Sequence, residues 1–590
     1  MTDEPTSHQD SEGESAPDRN ETQSGTGGFS RRQFIAGAAA AGAAGVLGVP
    51  SVASAAGSSP YLQVIGGDDE PDLILINGKI HTMDDDGTVA SSVTIRNGRF
   101  ANVDRGARAR GPNASVVNLK GRTVVPGIID DHNHIVLMGN RPGFHTPLEN
   151  TNSIAEVQAT LAARAAGVPS GEWITTIGGF NILQFAEARF PTKAELDDAV
   201  PDHPVFVSQS FSGPSATNSA GAAILGANGV TVGADGEIAT GGAGATGEAL
   251  LFLRQTLLTP GTRRRGAADA MAYGASLGVT THLDQGAFQE TGQPSDGAAH
   301  EDNYTMHIPF LEMYRSGGLG TRLRINFLNL EEDPETPQLI ARLKNAFPFF
   351  GGDLVKTGGI GEFTAGNPFE LFQGPEPSEA WKNGTLRVAE AGWRNENHSL
   401  SGTDFMAIIE GWEEVNAQVP ITDLRWVLAH VPFITEEYVN RLHALGGGLS
   451  LTGWRYLAGT AGGNGPPFRM IVDNGIPTGM SSDGMQIAPM NPWLHMYYAT
   501  TGINAAGELI NDGQQISREE VLRLYTADNR WFLGEDDIGT IEVGHHADLV
   551  VLNDDYFAVS DEGLKDIQSV LTFVGGKVVH DAGVLQKPSP

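Results

Sequence analysis

The chain has 590 residues and no cysteine, with 38 basic against 71 acidic side chains and a net charge of −33. No thiol nucleophile, cysteine-zinc site or disulfide can form, and a surface this acidic excludes nucleic acid as an expected partner, because phosphate recognition needs a basic face. At 40% hydrophobic residues it is too apolar to be a disordered chain.

Only nine of the basic residues are lysines. An acid-rich, lysine-poor composition is halophilic-like: carboxylates keep the surface solvated where salt screens their repulsion. Charge of this kind speaks to the solvent and not to a reaction.

In chain order, residues 1–29 are polar and acidic without any apolar period. Ser30-Arg31-Arg32-Gln33-Phe34-Ile35 then leads into an Ala/Gly/Val/Leu run that reaches Val49, and Ala53-Ser54-Ala55 follows. Paired arginines before a weak apolar core and a small-residue cleavage site form a twin-arginine export address. Residues 1–56 are therefore expected to be a disordered acidic tail plus signal peptide, and 57–71 a linker. The expected partner is the twin-arginine export machinery. The expected location is the extracellular space or the exterior of the cell envelope, reached in folded form. No other run approaches the roughly 18 apolar residues of a membrane helix, so no stable span is expected.

Strand texture begins at Asp72, with Leu73–Ile76 and Ser92–Ile95, and returns in Ala547–Leu552 and Val570–Val574. A small β-sandwich domain is predicted from both chain ends, with 72–125 as its first part and 538–585 as its second. Residues 586–590 are a tail. Between them, 126–537 alternates short apolar runs with helical segments, the pattern of a parallel α/β architecture. Eight candidate strands end near Ile129, His282, Phe327, Lys356, His398, His430, Leu451 and Ser482, as a (β/α)8 TIM-like barrel requires. The long stretch between the first two is predicted to be a structured insertion over the barrel mouth.

The chemistry gathers at those strand ends, where barrel active sites are built. Asp130-Asp131-His132-Asn133-His134 closes the first strand, and alternation puts His132 and His134 on one face. Neutral imidazole is a favoured ligand for a zinc-type ion, although paired histidines at a strand end also commonly bond only backbone or water. His398, His430 and Asp483 stand at later strand ends.

Three segments carry a family resemblance: Val125-Pro-Gly-Ile-Ile-Asp-Asp-His-Asn-His134, Pro191-Thr-Lys-Ala-Glu-Leu-Asp-Asp-Ala-Val-Pro-Asp-His-Pro-Val-Phe206, and Gly539-Thr-Ile-Glu-Val-Gly-His-His-Ala-Asp548. Through them the chain resembles the amidohydrolase superfamily, and within it the amidohydrolase-3 group of YtcJ-like proteins and N-substituted formamide deformylases, over about 72–585. The resemblance implies a metal-dependent hydrolase barrel that holds one or two divalent ions, zinc being the expected metal. It implies ligation by His132, His134, His398, His430 and Asp483, with Lys356 as a carboxylated lysine bridging the metals. Asp483 would also shuttle the proton, and His282 and Arg455 are candidate donors to the oxyanion.

The substrate-facing positions depart from the group's usual pattern. The chain has His398-Ser-Leu-Ser-Gly-Thr-Asp where relatives commonly read His-Ala-Ile-Gly-Asp, and Ser482-Asp483-Gly484-Met485 where they read Ser-Asp-Ala-Pro. The expected substrate is a small amide-type molecule, and a homodimer is compatible with the reading. Deamination, ester or carbamate hydrolysis, isomerisation and decarboxylation on the same site remain open, as does a catalytically silent ligand-binding protein. His545-His546 reads as a turn, Arg263-Arg264-Arg265 as a solvated helix start, and Gly241–Ala245 as a linker.

Overall fold

Eight short apolar runs become eight parallel strands in a computed structural model, which describes residues 72–104, 114–210, 213–239, 245–286, 303–366, 377–399, 404–458, 465–485 and 487–585. The acidic tail, the twin-arginine segment, the 57–71 linker, positions 241–244 and the 586–590 tail lie outside the described residues. The strands are β1 Ile128–Asn133, β2 Val279–Asp284, β3 Arg322–Phe327, β4 Val355–Ile360, β5 Glu396–Ser399, β6 Val427–His430, β7 Gly448–Thr452 and β8 Thr478–Ser481.

β1 to β4 pair in sequence in one parallel sheet, and β5 to β8 in another. A parallel bridge between Ile360 and Asn395 joins the two halves on one side. On the other side the Asn529 amide donates to Ile129 O at 2.6 Å and to Met480 O at 2.8 Å, and Asp483 N donates to His132 O at 2.9 Å. The architecture is the (β/α)8 barrel that the eight apolar runs predict. Its strands are buried almost throughout, as expected of parallel strands covered on both faces.

Local chemistry sets the strand starts. The helix Pro260–Leu277 is capped by Thr259, whose hydroxyl accepts from Thr262 N at 3.2 Å, and has proline in its first turn. Gly278 ends it at φ 91°, a left-handed stop that glycine adopts without strain, and β2 begins at the next residue. The triple arginine in this helix is not a solvated run. Arg263 is buried and donates to Asn140 Oδ1 at 2.5 Å, while Arg265 lies 3.7 Å from the Phe144 ring centre.

A separate eight-stranded sheet is built from both ends of the chain. Leu549–Leu552 runs antiparallel to Thr123–Pro126, which leads through Gly127 into β1. Leu75, Ile80, Val93, Phe100, Val124, Leu549, Val551 and Phe573 form its core.

The segment between β1 and β2 holds a five-stranded sheet with two apolar clusters of its own. It packs against the chain that follows β8: Arg141 Nη2 donates to Met485 O at 2.8 Å, and Glu149 Oε2 accepts from Met490 N at 2.6 Å. No helix among the described residues is long and apolar enough to cross a membrane.

Candidate metal centre

Strand ends deliver the site. His132 comes from the end of β1 and His134 from just beyond it, His398 from β5, His430 from the end of β6, and Asp483 from two residues past β8. The structure brings all five together around a sixth residue, Glu362, which lies two positions past β4.

Glu362 Oε2 is 3.3 Å from His132 Nε2, 3.3 Å from His398 Nδ1 and 3.6 Å from His430 Nε2, and Glu362 Oε1 is 3.4 Å from His134 Nε2. Asp483 Oδ1 stands 3.2 Å from His134 Nε2 and 3.7 Å from His132 Nε2. These atoms form three overlapping triads, each within 4.8 Å: His132, His134 and Glu362; Glu362, His398 and His430; and His132, His430 and Asp483. Every member is buried. His430 and Asp483 have φ of 70° and 55°, so the backbone reverses hand at two ligating positions. Residues with a Cβ occupy that region at a cost, which functional sites often carry.

A carboxylate below the cluster sets the donor direction of the first imidazole. Glu396 Oε1 accepts from His132 Nδ1 at 2.7 Å and from Gln285 Nε2 at 3.1 Å, while its Oε2 accepts from Asn326 Nδ2 at 3.1 Å and Arg394 Nη2 at 2.7 Å. With its proton fixed on Nδ1, His132 turns the Nε2 lone pair toward Glu362 and Asp483. Such carboxylate–imidazole pairs orient metal ligands and raise their basicity. His430 Nδ1 likewise lies 2.9 Å from the Thr452 hydroxyl, leaving Nε2 to face the cluster.

The electrostatics fit a cation. Burial opposes ionisation of Glu362, but the four surrounding imidazoles hold its carboxyl well below the usual range, and Asp483 is also held low against burial by His430 and His134. The same carboxylates overcome burial to draw His134 up to about 9. Burial lowers His430 from the ordinary imidazole value. With neutral imidazoles the cluster carries two uncompensated carboxylate charges, because the Glu396 charge is matched by Arg394. Imidazole nitrogen and carboxylate oxygen at this spacing are the donor set of zinc-type ions, and Glu362, shared by two triads, can serve a pair of them.

Lys356 is a correction. It is the second residue of β4 and not its last, so it sits at the base of the barrel, where its Nζ is 2.9 Å from Glu535 Oε2. The strand runs on through Thr357-Gly358-Gly359-Ile360 to the mouth, where Glu362, and not the lysine, stands among the histidines. His282 is a second correction: its Nδ1 is 3.0 Å from Asn133 Nδ2, and its ring lies against Gly274 of the helix outside β2. Burial lowers it to about 4, and the neutral ring packs in the barrel wall, making none of the contacts of the cluster. Arg455 follows β7 at the mouth and makes none of the contacts of this cluster.

Glu362 and Glu396 were not read from the sequence. Glu396 could have been, since it shares a strand face with His398 by the same alternation that singles out His132 and His134.

A barrel with such a centre at its strand ends is a metal-dependent hydrolase, here acting on carbon–nitrogen bonds. The chain belongs to the amidohydrolase family, whose model matches residues 115–580. It is 24% identical over 559 residues to an N-substituted formamide deformylase of Arthrobacter pascens, covering 86% of this chain and 98% of that one. It is 22% identical over 549 residues to the putative amidohydrolase YtcJ of Bacillus subtilis (strain 168), covering 85% and 98%. Among solved structures it resembles an uncharacterized metal-dependent hydrolase from Pyrococcus furiosus, with a TM-score of 0.54 at 18% identity over 82% of this chain and all of the other.

Proposed function

We propose that this chain is an exported hydrolase of N-acyl or formamide-type amides that uses two divalent cations, zinc foremost. One observation carries the reading: Glu362 lies within 3.3–3.6 Å of four imidazole nitrogens while Asp483 reaches two of the same rings. His132, His134 and Asp483 would hold one cation, His398 and His430 the other, and Glu362 both.

When bound, such ions lower the pKa of water and polarise a carbonyl oxygen. The chain supplies the rest. Asp483, ionised and buried beside the histidines, accepts a proton from the attacking water on a carboxylate oxygen and returns it to the departing nitrogen. Glu396 keeps His132 in one tautomer, and the buried walls exclude bulk water. The formamide class is supported by the name of the Arthrobacter relative. Export is supported by Arg31-Arg32 and the acidic composition.

Metal analysis of the purified protein, combined with a panel of N-formyl, N-acyl, ester and cyclic amide substrates for wild type, His134→Ala and Asp483→Asn, tests the reading. Two equivalents of metal and amide turnover lost in both variants are expected. A metal-free active enzyme, or full activity in either variant, sinks the mechanism. Retention of the protein in the cytoplasm with Arg31 and Arg32 intact sinks the export reading alone.

A further inference from the structure

Two residues past β7 the chain places Trp454, and then Arg455. Thr452, which ends that strand, touches His430. Phe433 stands three residues past His430 in the neighbouring loop. The Arg455 guanidinium carbon lies 4.1 Å from the Trp454 ring centre and 5.3 Å from that of Phe433, so the cation is held between the loops that follow strands six and seven, on the mouth side of the barrel.

Its hydrogen-bonding capacity is unspent. Arg455 Nε and Trp454 Nε1 are both buried and make no hydrogen bond among the described residues. Among the described residues no carboxylate lies within ion-pair distance of Arg455, in a chain where acidic side chains outnumber basic ones by 71 to 38. By contrast, Arg322, Arg324 and Lys356 at the barrel base are all paired. Burial lowers the guanidinium to about 10, which leaves it charged at neutral pH. Aromatic faces offset part of the cost of a half-buried cation, but they leave its N–H fork without an acceptor.

We propose that Arg455, with the Trp454 indole N–H beside it, receives a carboxylate carried by the substrate, so that the preferred amides are N-acylated amino acids and not neutral N-substituted amides. This assigns Arg455 to substrate recognition instead of oxyanion stabilisation, and it rests on the amide-hydrolase reading. A planar guanidinium matches a carboxylate with two parallel N–H···O bonds, a geometry that lysine does not reproduce. Fixing the far end of the substrate at strands six and seven leaves the amide free to lie over the centre formed with strands one, four, five and eight.

The test uses probes that differ only in the carboxylate. N-methanesulfonyl-phenylalanine, in both enantiomers, and N-methanesulfonyl-phenethylamine resist hydrolysis. Their binding to the metal-loaded wild type, Arg455→Met and Arg455→Lys is measured by calorimetry, with circular dichroism checking that each variant folds. The wild type is expected to bind one enantiomer of the acid ~10–100-fold tighter than the neutral probe. R455M should lose that preference and R455K should keep part of it. Equal affinity for the two probes, no binding of either, or a preference that survives in R455M overturns the proposal. Turnover of the matching N-formyl pair is followed separately. A binding preference without turnover sinks the hydrolase reading alone, and turnover of both without preference sinks the carboxylate reading alone.

Discussion

At the base of the barrel, Arg322 is bidentate on Asp548 at 2.7 and 2.9 Å, Arg324 is bidentate on Glu535 at 2.5 and 3.0 Å, and Lys356 adds a second cation to the Glu535 carboxylate. At the mouth, the ion-pair partners of Glu362 and Asp483 among the described residues are imidazoles only. β4 links both settings, with a fixed cation near its start and a carboxylate just past its end. Fixed cations cancel a carboxylate where it stands, which tethers the loop carrying Glu535 and the end sheet to the barrel. At the mouth the carboxylates draw protons onto imidazoles such as His134, a balance that a bound cation would take over, because ligating imidazoles are neutral. The difference separates a stabilising end from a working end.

That contrast can be broken by substitution. Glu362→Gln keeps the shape but removes the shared charge; it should lower kcat/KM by at least ~1000-fold, the loss of several kcal/mol of metal-centred stabilisation. It should also reduce bound metal from two ions to at most one, read by elemental analysis. Glu396→Gln touches the centre only through His132, so metal affinity or activity should fall by ~10–100-fold, seen by chelator competition. Lys356→Met at the other end should leave kcat/KM within about threefold and lower stability by ~1 kcal/mol in denaturant melts, because Arg324 still holds Glu535. A carboxylated lysine ligand would instead make K356M as damaging as E362Q.

pH separates the two regions by sign. Burial raises Glu149, beneath the chain that follows β8, to about 7 despite its bonds to Tyr273 and to Met490 N. Its folded pKa exceeds the unfolded value of about 4.5, so the folded state binds more protons between those two values, and stability from this group falls as pH rises from about 4.5 to 7. Glu535 runs the other way. Burial opposes its ionisation, but Arg324 and Lys356 hold it low, so its contribution is full above the unfolded pKa and lost as pH falls. Thermal melts of Glu149→Gln against wild type from pH 4.5 to 8 should show the variant gaining on wild type as pH rises. A gap that stays constant would place the ionisation of Glu149 elsewhere.

Six of the eight barrel strands end within about two residues of where their apolar runs stop in the sequence, and the five histidine and aspartate residues gathered at the centre stand at or just past strand ends. β1 runs on from Ile129 to Asn133 and β4 from Lys356 to Ile360, and for β4 packing explains it. A Cβ on Gly358 would lie 2.3 Å from Asn326 Oδ1, and one on Gly359 2.6 Å from Arg394 O, so neighbouring strands approach too closely for side chains there. Glycine is what the barrel needs at those positions and also what erases the strand signal. The apolar run therefore stops at Lys356 in the sequence, and Glu362 reads as a loop residue. Glu396 is legible as a residue on the strand face of His398, but its role is not: that depends on His132, 264 positions away, and no local pattern encodes the pairing.

The Asn529 amide that joins β1 to β8 spans 400 positions of chain. A nascent polypeptide can lay down every strand and still lack the clasp, because the barrel seam waits for a residue in the last tenth or so of the sequence. The metal centre straddles that same seam, with His132 and His134 on one side and Asp483 on the other. Loop closure over such a span is slow and comes late. Truncation just before Asn529 would therefore leave a chain that contains every ligand but lacks the two amide bonds of the clasp, with contacts such as Asp483 N to His132 O left to hold the seam.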